Sequence, residues 1–487
     1  MIKSRTLAEL IRKRLEIPIN WSLADHKQSI GQGQLSNIVT RLSAFLIKKG
    51  LKKGDRVAIY LPKSSEAVCA VYSILISGGI YVPIEFSQPK KRIDFLLKSS
   101  TPKLLITSQK CSDLFQNYSK IQTIIWEDLE KVLSSEEKGI VVEIEPSDGA
   151  YILFTSGSTG NPKGVLHSHG SAMAFVNWAG DFFELDSNDV FCSHSPLHFG
   201  ISIFDLFVPV VFGAKLTVLD EKLSFLSRHI LAFLKKWRVT VWYSVPTVLM
   251  ILGRNDEFKE GELFLKLIMF AGEPFPVKDL SVMVKRFPSC GFFNLYGATE
   301  TNVSIAYKVE TDFFEQDHDS LPLGVLLPHF RDVSLVADKN QPFELELEGE
   351  SLMRNYWSLN NSVEIKSFKT GDRVQLKEGV YCFLGRSDTL VKIYGNRINL
   401  REVEEVVRKC PGASHVVCVR IKSGKIEYLT AYFTGNPALC DEDLRLHCSK
   451  FLPPYMVPRE FRYLEEFPRN QNGKIDRLKL QEVESGE

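Results

Sequence analysis

Between Tyr151 and Gly170 an apolar run, Tyr151–Phe154, breaks off into Thr155, Ser156, Gly157, Ser158, Thr159, Gly160, Asn161, Pro162, Lys163 and Gly164, then resumes at Val165 and Leu166. Three glycines, four hydroxyls and one lysine within that break restrict what the stretch can become. Glycine lets backbone N–H groups come close to a polyanion, the hydroxyls add donors, and Lys163 adds a positive charge. A Gly/Ser-rich hairpin turn is the plainer reading, although turns seldom combine so many hydroxyls with a lysine. No Gly-Lys-Ser/Thr and no complete G-x-G-x-x-G occurs in the chain, so this is neither a Walker A loop nor a Rossmann fingerprint.

The flanking sequence sets that loop in an α/β scaffold. Leu35, Ile38, Val39, Leu42, Phe45 and Leu46 recur at helical spacing, and Gly50 is placed to end the helix. A strand at Val57–Leu61, a helix at Ser65–Ile76, Gly78-Gly79 and a strand at Ile80–Ile84 describe a βαβ unit, and therefore a parallel sheet. Leu104–Thr107 and Thr123–Trp126 read as further short buried strands. Val239–Leu252 reads as strand, turn and helix, and Lys266–Ala271 and Phe292–Leu295 as buried strands. The last two run into Ala271-Gly272-Glu273-Pro274 and Tyr296-Gly297-Ala298-Thr299-Glu300. Ligands of α/β sheets sit beyond the carboxyl ends of strands. From about Gly324 the pattern turns to alternation, as in Phe343–Leu347, which fits antiparallel strands with one wet face.

The last hundred residues read as a separate small α+β unit. After the strand Tyr381–Leu384 comes a polar break at Gly385–Asp388. A helix at Val403–Val407, strands at Val416–Ile421 and Tyr428–Phe433, and a helix at Leu444–Phe451 follow. Such a division suits 487 residues, which exceed one ordinary core.

Composition removes several classes of function. A net charge of +1 offers no electrostatic case for nucleic acid or an anionic membrane. No apolar run of membrane-spanning length is present, and the N-terminus lacks a secretory core, so membrane insertion is not expected. Nine scattered cysteines without a C-x-x-C pair argue against a disulfide framework or structural zinc, and fit a reducing cytoplasm.

Five motifs stand in fixed order: the loop at 155–164, Asn294–Thr301 (NLYGATET), Lys369–Val374 (KTGDRV), Gly385–Glu404 (GRSDTLVKIYGNRINLREVE) and Asn472–Arg477 (NGKIDR). With Phe343–Trp357 and Leu452–Pro458 they resemble, over nearly the whole chain, the adenylate-forming superfamily. That family holds acyl- and aryl-CoA synthetases, nonribosomal peptide synthetase adenylation domains and beetle luciferases; the resemblance is strongest to stand-alone adenylation enzymes. It implies a large N-terminal domain of mixed sheets, packed helices and a distorted β-barrel over 1–386. A hinge at 387–389 and a mobile α+β lid over 390–487 complete it. The implied chemistry has two steps: a carboxylate attacks the α-phosphate of MgATP, then a thiol takes the acyl group.

By the same resemblance Thr155, Ser156, Gly157, Ser158, Thr159, Gly160 and Lys163 cradle the β- and γ-phosphates. Glu300, with Thr155, is placed to hold Mg²⁺. Thr299 faces the α-phosphate, Tyr296 stacks near the adenine beside Gly272 and Glu273, and Asp372 takes the ribose hydroxyls. An acceptor-only carboxylate suits a diol. Arg386 and Arg397 match positions that contact ribose or phosphate, and Asp388 matches the hinge. Lys474 is placed to bridge the substrate carboxylate and the α-phosphate, a task for a compact ammonium on a mobile lid.

The acyl pocket carries over as Gly200, Ile201, Phe204, Tyr243, Met269, Ala271, Leu295, Val303 and Ser304, with His198 as a contact or gate. Amino-acid-activating members carry an aspartate at the position of Gly200, paired with the substrate's α-ammonium. Its absence points to a small carboxylic acid without a free α-amine, because an unpaired buried ammonium costs several kcal/mol. A β-amino acid stays open, and Asp205 is a weaker candidate for the missing charge. With no carrier segment before Glu487, the expected acceptor is the pantetheine thiol of a carrier protein acting in trans, with coenzyme A as the alternative. A silent adenylate-binding protein and a luciferase-like oxygenase are the readings from other classes.

Overall fold

The apolar and glycine-punctuated stretch after Leu35 folds as helix Gln32–Lys48, strand Arg56–Tyr60, helix Ser65–Ile76 and strand Ile80–Pro83. The two strands pair in parallel, Arg56 opposite Ile80. Helix Ser65–Ile76 is apolar on nearly every side because almost every face is buried. Its first turn is held by the Ser64 hydroxyl, which accepts from the Ala67 N–H at 3.3 Å. The chain leaves that helix through Gly78, whose φ of +79° suits a residue without a Cβ.

The computed structural model describes the chain apart from residues 20, 130–140, 156–161, 224–225, 254–260, 317, 319, 337, 358–363, 387–389, 424–425, 469–474, 476, 478 and 482–487. The chain divides into two compact units.

The first comprises Met1–Phe86, Ser100–Leu153 and Gly164–Gly385. One seven-stranded sheet runs Asn355–Tyr356, Lys163–Ser168, Gly149–Thr155, Ile80–Pro83, Arg56–Tyr60, Leu104–Thr107, Gln122–Ile125. A nine-stranded sheet runs Val325–Leu326, Ile305–Val309, Gly291–Tyr296, Leu267–Phe270, Val241–Ser244, Val190–Ser193, Lys215–Val218, Ser22–Ala24, Ser29–Gly31. Val190–Ser193, Val241–Ser244, Leu267–Phe270 and Gly291–Tyr296 are parallel neighbours, so their carboxyl ends share one edge. Four strands between Phe330 and Arg386 form an antiparallel sheet in which Phe343–Gly349 alternates buried and wetter positions.

Helix Ser202–Phe212 is buried along its whole length. Arg14 meets its C-terminal carbonyls: Nε donates to Val210 at 2.8 Å and Nη2 to Val211 at 2.8 Å. These are groups that a helix end leaves without partners.

The second unit comprises Ser87–Ser99, Phe154–Lys163 and Arg386–Glu487. Leu390–Ile393 pairs with Asn396–Asn399, and Ala413–Ser423, Ile426–Gly435 and Glu460–Tyr463 form a three-stranded sheet. Helices Leu400–Arg408 and Asp441–Ser449 cover a core that includes Val403, Val407, Leu429, Phe433 and Leu444. The helical stretch from Lys90 also packs here, with Arg92 paired to the buried Glu402. All nine cysteines are free thiols.

Candidate active site

Two strand ends of the nine-stranded sheet bring the polar loops together with the sheet's apolar face. Tyr243, Met269 and Phe293 are register partners on adjacent strands, so they share a face. Ala271 and Leu295 lie two residues beyond Met269 and Phe293 and continue that face. Phe204 packs on it edge-on, 5.6 Å from the Tyr243 ring, with Phe183, Phe191 and Phe175 around it. Val303 and Ser304 are also buried. Gly200 and Ile201 are half-buried at the start of helix Ser202–Phe212. A Cβ at Gly200 would meet only Thr299 Cα, at 3.9 Å. Gly200 therefore borders the Thr299 loop.

His198 lies elsewhere. It lines a small cavity with Lys63, Glu85, Leu197 and Glu221 that shares no wall residue with the other pocket positions. Its Nε2 is 3.7 Å from Glu85 Oε2. Asp205 is buried one turn into the helix, and burial drives its carboxyl well above the ordinary carboxylate range despite the Lys63 charge and the His194 N–H. Burial likewise lowers Lys63, whose ammonium donates to the His194 carbonyl. Asp205 thus belongs to a buried polar group with Lys63 and the His194 backbone.

The polar residues are held by long-range bonds. The Tyr296 hydroxyl donates to Asp372 Oδ2 at 2.5 Å, and the Thr370 hydroxyl accepts from the Asp372 N–H at 3.1 Å. Gly371, at φ +74°, lets the strand turn that carboxylate inward. Glu273 follows Gly272 (φ +96°) and accepts from the Thr247 hydroxyl at 2.6 Å. Glu300 is 1% exposed, and its Oε1 accepts from the Tyr356 hydroxyl at 3.0 Å. Tyr356 is brought there by the short strand Asn355–Tyr356, paired to Val165 and Leu166. His167 Nε2 lies 2.8 Å from the Thr299 carbonyl, and burial lowers this imidazole to about 4.

Thr155 ends strand Gly149–Thr155 and Lys163 begins Lys163–Ser168. Arg386 closes strand Val380–Arg386, and Arg397 sits in Asn396–Asn399. Ser156, Gly157, Ser158, Thr159, Gly160, Asp388 and Lys474 lie outside the described residues. Tyr356, Thr247 and His167 are partners of the site residues that the motifs alone do not mark. Tyr356 falls inside a motif that carried the resemblance, whereas Thr247 and His167 had no local signal.

This is the architecture of adenylation enzymes and CoA synthetases. The fold matches o-succinylbenzoate CoA synthetase of Bacillus subtilis with a TM-score of 0.84 at 22% identity, over 97% of this chain and 98% of that one. An adenylation–PCP di-domain from Klebsiella oxytoca matches with a TM-score of 0.81 at 21% identity, over 95% and 94%. The chain belongs to the AMP-binding enzyme family, whose model matches residues 17–357, with the AMP-binding enzyme C-terminal domain at 402–474. An L-proline–[L-prolyl-carrier protein] ligase of Pseudomonas fluorescens is 30% identical over 95% of this chain and 96% of its own. A D-alanine–D-alanyl carrier protein ligase of Bacillus cytotoxicus is 28% identical over 98% and 99%. Among the described residues no helix is long and apolar enough to cross a membrane.

Proposed function

We propose that this enzyme activates a carboxylic acid lacking a free α-amine and passes it to the pantetheine thiol of a carrier protein. The substrate carboxylate oxygen attacks the α-phosphorus of ATP, the bond to the β-phosphate oxygen breaks, and pyrophosphate leaves. The thiol sulfur then attacks the acyl carbon, its proton is lost, and AMP departs. The observation that carries this reading is the approach of Gly200 to Thr299, because it joins the acyl pocket to the residue assigned to the α-phosphate. Both steps rest on positioning and charge neutralisation.

Tyr296 and Asp372 orient adenine and ribose in this scheme, and Thr299 donates to the α-phosphate. Glu300 suits Mg²⁺, a hard cation bound through one or two carboxylates plus substrate phosphates rather than a protein cage. Its burial and the Tyr356 hydroxyl fix it at the site, and no cluster of three ligating side chains occurs among the described residues. The ion, when bound, offsets charge on the departing pyrophosphate. Thr155, Ser156, Gly157, Ser158, Thr159, Gly160 and Lys163 form the pyrophosphate cradle. Residues 390–487 act as a lid turning at Asp388, Lys474 serves the first step, and Arg386 and Arg397 contact the nucleotide.

The carrier-protein ligases among the relatives support the acceptor. Their acids, proline and D-alanine, carry amines, and here the chain diverges. Gly200 offers no counter-charge, and Asp205 is already engaged with His194 and the field of Lys63. The test is ATP–pyrophosphate exchange over alkanoic, aryl, hydroxy, β-amino and α-amino acids, followed by loading of a holo-carrier protein or coenzyme A. Fastest exchange with ordinary α-amino acids refutes the substrate class. Preferential loading of coenzyme A refutes the acceptor.

A further inference from the structure

Thr299 and Glu300 lie in a loop between strands Gly291–Tyr296 and Ile305–Val309. The loop closes on itself. The Ala298 N–H donates to Thr301 Oγ1 at 3.0 Å, the Thr301 N–H to the Ala298 carbonyl at 3.0 Å, and the Ser304 N–H to the Tyr296 carbonyl at 2.8 Å. Gly297 is required, since a Cβ there would lie 1.7 Å from the Asn302 carbonyl oxygen. Asn302 adopts φ +53°, the left-handed region that asparagine tolerates. These bonds set the loop's internal shape but not its placement on the scaffold.

Placement is shared: the Tyr356 hydroxyl donates to Glu300 Oε1, the Met353 N–H donates to the Glu300 carbonyl at 2.7 Å, and the residues on either side of Glu300 are met by His167 on strand Lys163–Ser168, a side chain with no exposure. Its Nε2 lies 2.8 Å from the Thr299 carbonyl, which only accepts, so Nε2 carries the proton and Nδ1 is the acceptor. Around Nδ1 stand the Ser171 hydroxyl at 3.0 Å and Asn302 Nδ2 at 3.4 Å. The Asn302 amide is itself fixed: its Oδ1 accepts from the Tyr151 hydroxyl at 3.2 Å and its Nδ2 donates to Ser351 Oγ at 3.2 Å. Tyr151 also stacks on the imidazole, 5.0 Å between centroids and 23° between planes, which holds the ring plane. One imidazole therefore grips the loop at two points, on either side of Glu300.

We propose that His167 is a positioning residue for adenylation, fixing Thr299 and Glu300 through the Thr299 carbonyl and the Asn302 amide without touching the reactants. The proposal rests on the reading of Thr299 and Glu300 as the α-phosphate and magnesium residues. Partners that orient ligating groups in this way typically matter by about 10–100-fold.

The variants are H167L, which removes both ring nitrogens at similar bulk, and H167Q, whose amide returns an N–H donor near the Nε2 position. Hydrogen exchange of residues 297–303 in the nucleotide-free protein is measured against helix Ser65–Ile76 as an internal reference, and pyrophosphate exchange supplies kcat and KM. H167L is expected to speed exchange in 297–303 alone and to lower kcat by about 10–100-fold. KM for the acid stays within about threefold, because the apolar pocket is untouched. H167Q returns both readouts to within about threefold of the parent. Unchanged loop exchange or unchanged kcat in H167L overturns the proposal. So does an H167Q as defective as H167L, which would make the role one of packing. If H167L does not fold, Y151F removes one hydroxyl and releases the Asn302 amide, with the same expected direction and the same refutation. T299V and E300Q separate the two levels: full activity in both refutes the underlying assignment, whereas their loss beside a normal H167L refutes the His167 role alone.

Discussion

Gly200→Asp tests the substrate assignment most directly, because among the described residues a Cβ there meets no charged group. A Cβ there touches only Thr299 Cα, at 3.9 Å, so the backbone and neighbours need not shift. The effect is therefore electrostatic. With an uncharged acyl chain in the pocket, the new carboxylate loses water without gaining a partner, which costs more than the roughly 1–3 kcal/mol of an unpaired neutral polar group in mutational series. At 1.36 kcal/mol per decade the neutral figure alone corresponds to about 5–150-fold in kcat/KM on the apolar acid, and the charge adds to it. Gly200→Asn, of the same shape without the charge, should lose only the neutral part, at most about 5–150-fold. An α-amino acid offers an ammonium to the new carboxylate, so the ratio of amino-acid to apolar-acid exchange should rise. ATP–pyrophosphate exchange on both substrates with parent, G200D and G200N measures all of this. Equal activity of G200D and parent on the apolar acid refutes the pocket placement, and equal damage by G200N refutes the charge argument.

Tyr296→Phe removes the hydroxyl that holds Asp372 and should raise KM for ATP by about tenfold, the worth of a hydrogen bond to a charged group, with little change in KM for the acid. Lys474→Ala should cut adenylate formation by orders of magnitude while sparing thioester formation from pre-made acyl-adenylate; equal loss of both steps contradicts the separate use of the lid. Arg14→Ala leaves the Val210 carbonyl unmet in the core, while the Val211 carbonyl keeps the Ile2 N–H at 2.9 Å, and urea denaturation should show a loss of about 1–3 kcal/mol. Burial works to raise the Asp25 carboxyl, but the Ser65 N–H and hydroxyl and the Gln28 and Lys27 N–H groups outweigh it and hold it below the usual range. Its contribution to stability is present above the unfolded value of about 4 and is lost as pH falls through the folded value. The stability gap between parent and Asp25→Asn should therefore shrink on acidification below about pH 4, and a gap that widens there reverses the sign of the argument.

The scaffold was legible wherever a short apolar run is bounded by glycine or polar turn residues. Leu104–Thr107 and Ser65–Ile76 fall on their expected bounds, and the strands at Leu267–Phe270 and Gly291–Tyr296 differ by a residue at each end. The loops after those strands were legible for the same reason: a buried strand cannot end without polar residues at the edge. What holds the loops was not legible. Tyr296 and Asp372 are 76 positions apart, and His167 and Thr299 are 132 apart, so no local period links them. His198 shows the opposite difficulty, since it was expected as a contact or gate of the acyl pocket while its Nε2 lies 3.7 Å from Glu85 Oε2.

Glu300 and Asp372, the two carboxylates assigned to the nucleotide, share one local device: each receives the hydroxyl of a tyrosine from a different strand, Tyr356 and Tyr296. A phenol at neutral pH is an uncharged donor, so it restricts the carboxylate's rotamer without cancelling its charge. An arginine in the same place would fix the geometry equally well, but would compete with an incoming cation for the same negative charge. A phenol adds no positive charge beside Glu300, assigned to magnesium, or beside Asp372, assigned to a diol. This arrangement also makes the two tyrosines separable in experiment. Tyr356→Phe should weaken the magnesium dependence of exchange, Tyr296→Phe the affinity for the nucleoside, and neither should alter which acid is chosen. A shift in acid preference in either variant would show that the nucleotide and acyl sites are coupled through these phenols, although neither phenol is a register partner of the pocket wall at Tyr243 and Met269.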